Sequence, residues 1–128
     1  MQIILNYLVV LLSLIGLDLL WFSCYGASYF RSKIGPLMLT DVNLACAFFV
    51  YIIMTIGFVT FVIKPYLNES TLSSILHGAL FGFILYGTYE GTNGAILKEW
   101  SVGVMVLDTA WGTLVGAILG GLGHHLKF

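Results

Sequence analysis

The sequence predicts an all-α membrane protein, a bundle of four transmembrane helices with both termini on the same side of the bilayer. Three observations predict it. Hydrophobic residues make up 59% of the chain and charged residues 9%, against roughly 25% charged in a typical soluble domain. That leaves too little polar surface to coat a water-soluble fold. Four apolar stretches, near 3–25, 42–63, 72–96 and 102–122, each reach the roughly 20 residues that cross about 30 Å of hydrocarbon. Only short polar segments separate them, so successive spans run in opposite directions and the fourth returns the chain to its starting side.

The elements follow in order. The first stretch lacks the basic leader of a signal peptide, and Asp18 interrupts its apolar run, so it reads as a retained helix. Trp21-Phe22-Ser23-Cys24 places a tryptophan where a lipoprotein cleavage site needs a leucine-like residue. Arg31-Ser32-Lys33-Ile34-Gly35-Pro36 reads as the first connection. The second span ends at Lys64-Pro65, because proline cannot continue a helix, and Ser70 or Thr71 is the expected N-cap of the third. Lys98-Glu99-Trp100 joins the third span to the fourth. Residues 1–128 therefore form one domain, and no connection is long enough to fold by itself.

Side A denotes the side of both termini and side B the other. Lys64 and Lys127 lie on side A; Arg31, Lys33 and Lys98 lie on side B. Two basic residues against three set no orientation by the positive-inside rule.

Several partners are excluded or unsupported. A net charge of −1 offers no basic patch to neutralise phosphates, so nucleic acid is not expected. Cys24 and Cys46 are too few for a disulfide framework; they read as two small apolar residues, with a single bridge on an oxidising side as the alternative. His77 falls one turn into the third span from side A, and His124 and His125 follow the fourth. Adjacent histidines do not share a helix face, and no spacing here matches a metal site. No lysine sits within a span to hold a retinal-like aldehyde, and no cofactor is expected.

Three acidic residues fall inside the spans: Asp18, Glu90 and Asp108. Each costs at least about 2.5–3.5 kcal/mol near the bilayer centre, and such residues usually face the bundle interior or water. At about 1.5 Å rise per residue, Asp18 lies about 22 Å, Asp108 about 21 Å and Glu90 about 27 Å from side A. The three carboxyls should therefore converge in the third of the bilayer nearest side B.

Their helical neighbours sharpen this expectation. Leu11, Leu14, Asp18, Trp21 and Tyr25 share one face of the first span; Gly82, Tyr86, Glu90 and Asn93 share one of the third. Met105, Trp111, Gly112 and Val115 surround Asp108 on the fourth, and Asp41 and Asn43 open the second at the same level. This predicts a polar pocket with aromatic walls, opening toward side B. The competing reading makes the acids neutral packing groups, hydrogen-bonded to Tyr, Trp and Asn. Gly78-x-x-x-Gly82 and Gly112-x-x-x-Gly116-x-x-x-Gly120 allow helices to approach closely in lipid. Packing within one bundle is the expected use, with a homodimer or larger-complex interface as the alternative.

Asp18-Leu19-Leu20-Trp21, Tyr29-Phe30-Arg31, the run Tyr86-Gly87-Thr88-Tyr89-Glu90-Gly91-Thr92-Asn93 and Asp108-Thr109-Ala110-Trp111-Gly112 together resemble a family of small bacterial membrane proteins catalogued as a domain of unknown function. The resemblance spans essentially the whole chain. Glu90 stands where the family usually has aspartate, and Gly91 where it has a bulky apolar residue, which alters the reach of that carboxyl. The resemblance implies a multi-pass protein of the bacterial inner membrane, with Asp18, Trp21, Tyr89, Glu90, Thr92, Asn93, Asp108 and Trp111 as its signature. It supplies no reaction.

Three classes of function compete. Binding or transport of a small amphipathic or cationic ligand, lipid-like in character, ranks first. Aromatic walls and carboxylates attract a cation through charge and cation–π interaction, with Asp18, Trp21, Tyr25, Tyr86, Tyr89, Glu90, Thr92, Asn93, Asp108 and Trp111 as the ligand-binding or proton-carrying set. A lipid enzyme using a carboxyl pair as general acid and base ranks second, since no activated nucleophile or metal constellation accompanies the acids. An accessory subunit of a larger membrane complex ranks third. Membrane lipid is the partner common to all three.

Overall fold

The computed structural model describes every residue, Met1–Phe128. Four helices make the fold, each long and apolar enough to cross a membrane: α1 (Gln2–Leu37), α2 (Leu44–Tyr66), α3 (Thr71–Ile96) and α4 (Val102–His124). There are no strands. Both ends of the chain meet on side A, where the Asn6 amide donates to the Lys127 carbonyl and the Tyr7 ring packs edge-on against Phe128 at 6.5 Å.

Helix α1 is 36 residues long and does not end near Tyr25, as hydropathy suggested. Residues 26–34 are polar enough to leave the membrane but contain no helix breaker, and Pro36 is the first. Phe30 and Ile34, one turn apart, are buried against Val104 at the start of α4, which anchors the extension. Arg31 and Lys33 ride on this helical extension and not on a loop. Within it a π turn, Phe22–Gly26, inserts an extra residue, and a Cβ at Gly26 would strike the Trp21 indole lying over it.

Side-chain caps start the remaining helices. Asn43 accepts from the Cys46 amide before α2, Ser70 from Ser73 before α3, and Ser101 from Val104 before α4. Each satisfies one of the amide groups a helix start leaves without an intrahelical partner. Between α3 and α4 the turn passes through Glu99, which adopts φ 61°. This left-handed residue reverses the chain sharply enough to fold Trp100 back onto α3.

Helices α3 and α4 pack along a regular ladder. Its rungs are Ser74 with His124, Gly78 with Gly120, Gly82 with Gly116, and Tyr86 with Gly112. Four residues separate successive rungs on both helices, which run antiparallel. At the glycine rungs the backbones touch, and a Cβ at Gly78, Gly82 or Gly116 would run into a carbonyl oxygen of the facing helix. Such contact substitutes for the hydrophobic driving force that helices lack in lipid. The glycine stripes therefore face each other within one chain.

The apolar core occupies the side A half. Val10 and Leu14 of α1, Phe58, Val59, Val62 and Ile63 of α2, and Val115 and Leu119 of α4 are buried together. Every buried residue of α2 lies at or beyond Thr55. Its first half, toward side B, leaves Leu44, Phe48, Phe49, Val50, Ile52 and Ile53 exposed. On the outer surface that exposure suits lipid. On the inner side it leaves room between α2 and the rest of the bundle.

Candidate functional site

Asp18 joins three helices at the floor of this space. It is 8% exposed. Its Oδ1 accepts from Trp111 Nε1 at 3.0 Å and its Oδ2 from the Tyr51 hydroxyl at 2.9 Å. A carboxylate only accepts, so both oxygens are used in keeping with their chemistry. Tyr86 faces the same carboxyl. Trp111 is held in turn by Trp21, whose ring stacks on it at 4.9 Å and 12°. The Trp21 and Trp111 positions follow from helical spacing, since each is three residues beyond an aspartate and shares its face.

Above this floor lies a cleft of about 550 Å³. Asp18, Phe22 and Phe30 of α1, Val50, Tyr51 and Met54 of α2, Tyr86 and Tyr89 of α3, and Asp108 and Trp111 of α4 line it. Twelve of its fourteen lining residues are apolar or aromatic; the other two are Asp18 and Asp108. Lysine, arginine and histidine are missing from the lining. Two carboxyls thus face an apolar space with no protein cation beside them.

Glu90 occupies the next rung of the ladder, facing Asp108, four residues beyond the Tyr86–Gly112 rung. It is 1% exposed. Trp100 Nε1 donates to its Oε2 at 2.7 Å, while Oε1 is buried without a donor. Glu90 lines a second cavity, a groove of about 620 Å³ between α3 and α4 on the far side of the pair, with Gly87, Gly91, Met105 and Thr109. No three His, Cys, Asp or Glu side chains converge as a metal ion would require.

Of the residues named from sequence, Asp18, Tyr86, Tyr89, Asp108 and Trp111 meet at the cleft, with Trp21 behind them and Glu90 next to Asp108. Tyr25 does not reach it. It is 53% exposed and stacks on Tyr29 at 5.7 Å, because the π turn swings it off the Asp18 face. Thr92 is exposed, two residues from Glu90 and so on the opposite side of α3. Asn93 is half-buried at the end of α3, where its backbone carbonyl accepts from Leu97. Sequence reasoning missed Tyr51 and Trp100, which donate to Asp18 and Glu90. Tyr51 carried a signal, a hydroxyl well inside an otherwise apolar span.

Fold and site together define a multi-pass membrane protein of four helices with three carboxyls inside the bundle. The chain belongs to the family described as Predicted membrane protein (DUF2177), whose profile matches residues 3–125. Comparison with curated proteins and with solved structures gave no match.

Proposed function

We propose that this protein binds a small amphipathic cation of lipid-like shape in the cleft, within a bacterial inner membrane, and passes it to or across that membrane. The observation that carries the reading is the pairing of Asp18 and Asp108 with an apolar, aromatic space that contains no basic side chain. Buried acids in a membrane normally pair with a cation, a proton or backbone donors. A cationic head group meets the carboxyls at the floor, and the rings of Tyr51, Tyr86, Tyr89 and Trp111 add cation–π attraction of about 0.5–2 kcal/mol each where desolvated. An apolar tail fits the walls formed by Phe22, Phe30, Val50 and Met54.

The half-splayed α2 supports entry from the bilayer. Its side B half has no buried residue, so a ligand dissolved in lipid can slide between α2 and α3 without first crossing water. The glycine stripes are occupied within the chain, so a dimer face made from them forms no part of this reading.

The test is equilibrium binding of a long-chain trimethylammonium probe against an alkyl sulfate of equal chain length, in detergent-solubilised protein. Wild type should bind the cation and not the anion, and Asp18→Asn should weaken cation binding about ten- to a hundredfold, the loss of one charge-assisted contact. Equal affinity for the two probes, unchanged in the variant, contradicts the reading.

A further inference from the structure

The ladder between α3 and α4 does more than hold two helices. By bringing the backbones into contact at the two glycine–glycine rungs, it sets the register in which the side chains of the next polar rung meet. That rung is Glu90 and Asp108. Neither side chain can turn away, since Glu90 is 1% and Asp108 7% exposed, and Trp100 fixes the other Glu90 oxygen. Two carboxylates only accept hydrogen bonds, so two ionised groups here leave Glu90 Oε1 and its neighbour with no donor between them. A single proton held between the two carboxyls supplies it. The same pair stands between two cavities, with Asp108 lining the cleft beside α2 and Glu90 lining the α3–α4 groove.

We propose that Glu90 and Asp108 share one exchangeable proton, and that a cationic head group entering the cleft displaces it through the α3–α4 groove. Displacement rests on the ligand reading above; the shared proton does not. The exchange balances as one positive charge in and one proton out. The proton leaves the carboxyl pair as both groups become ionised, and the incoming cation takes its place beside Asp108. The groups facing the pair are Asp18 from α1, Tyr51 from α2, Tyr86 and Tyr89 from α3, and Trp100 from the connecting turn. Asp18 is the one other carboxyl among them, and both its oxygens already accept, from Trp111 and Tyr51, so the pair is the better place for the proton. Gly87 and Gly91 keep the groove open beside Glu90, with no atom within 4 Å of a Cβ placed at Gly91. A bulkier residue there would cover the exit.

Infrared difference spectroscopy in light and heavy water tests the pair directly. Wild type should show a protonated-carboxyl carbonyl band that shifts on deuteration, and Glu90→Gln and Asp108→Asn should each abolish it, since either amide supplies the missing donor. A band that survives in both variants overturns the shared proton. Proton release into weakly buffered solution, measured while the trimethylammonium probe is titrated, tests displacement. About one proton per bound cation is expected from wild type, and a ratio of protons to bound cations at least tenfold lower from Glu90→Gln. Binding without release in wild type overturns displacement. Failure of wild type to bind the probe overturns the ligand reading and displacement with it, while the infrared band still decides the shared proton.

Discussion

The two halves of the bundle solve opposite problems. Toward side A the helices close: Gly78, Gly82, Gly116 and Gly120 bring two backbones together, and Phe58, Val62, Ile63 and Leu119 fill the remaining space. Toward side B they part. There α2 has no buried residue before Thr55, and the space beside it is floored by acids and walled by rings. The closed half contains the small and aliphatic residues that packing in lipid requires. The open half contains the residues that packing alone would avoid. One continuous device serves both, because the glycine rungs that close the first half set the register that holds Glu90 against Asp108 in the second.

The same substitution placed in each half should have opposite consequences. Gly116→Leu drives a side chain into the Gly78 carbonyl, and the variant should lose about 3 kcal/mol or more, the upper range of overpacking. A Cβ at Gly91 meets no atom within 4 Å, so Gly91→Leu should cost nothing and gain up to about 1 kcal/mol from helix propensity. Thermal unfolding in detergent followed by circular dichroism measures both. Equal losses would remove the distinction between the halves.

A smaller effect is expected on the polar side. Trp111→Phe keeps a ring against Trp21 but removes the donor to Asp18 Oδ1. The carboxyl oxygen left unpaired should destabilise the bundle by about 1–3 kcal/mol, read from the same melts. A variant as stable as wild type would show that Asp18 is already hydrated from the cleft.

The smallest effect has the opposite sign. Glu99 adopts φ 61°, a conformation that disfavours a side chain by about 1–2 kcal/mol and that glycine adopts freely. Glu99→Gly should therefore stabilise the protein by up to about 1 kcal/mol while leaving the Trp100–Glu90 bond in place. Loss of stability would mean that the Glu99 side chain has a partner that matters.

Much of this was legible before the structure. Hydropathy and length located four spans, and rise per residue brought Asp18, Glu90 and Asp108 to one depth, because a straight helix converts sequence number into height. What failed was rotation and partnership. A π turn at Phe22–Gly26 changes which face Tyr25 presents, and periodicity assumes no such insertion. The length of α1 was hidden because hydropathy ends where the membrane ends, whereas the helix continues to the closing turn at Gly35–Leu37. Tyr51 and Trp100 lie far from the acids in sequence, and only packing makes them donors. The glycine spacing was visible on each helix separately; that the two stripes match rung for rung was not.

On the proposed function, the open half holds a ligand from the membrane at Asp18. Native mass spectrometry of the gently solubilised protein, wild type beside Asp18→Asn, tests it most directly. A specific adduct of cationic, amphipathic character on the wild type, lost from the variant, is the result expected. A bare chain in both spectra, with both equally stable, would contradict the claim and make Asp18 a packing group that ties α1 to Tyr51 and Trp111.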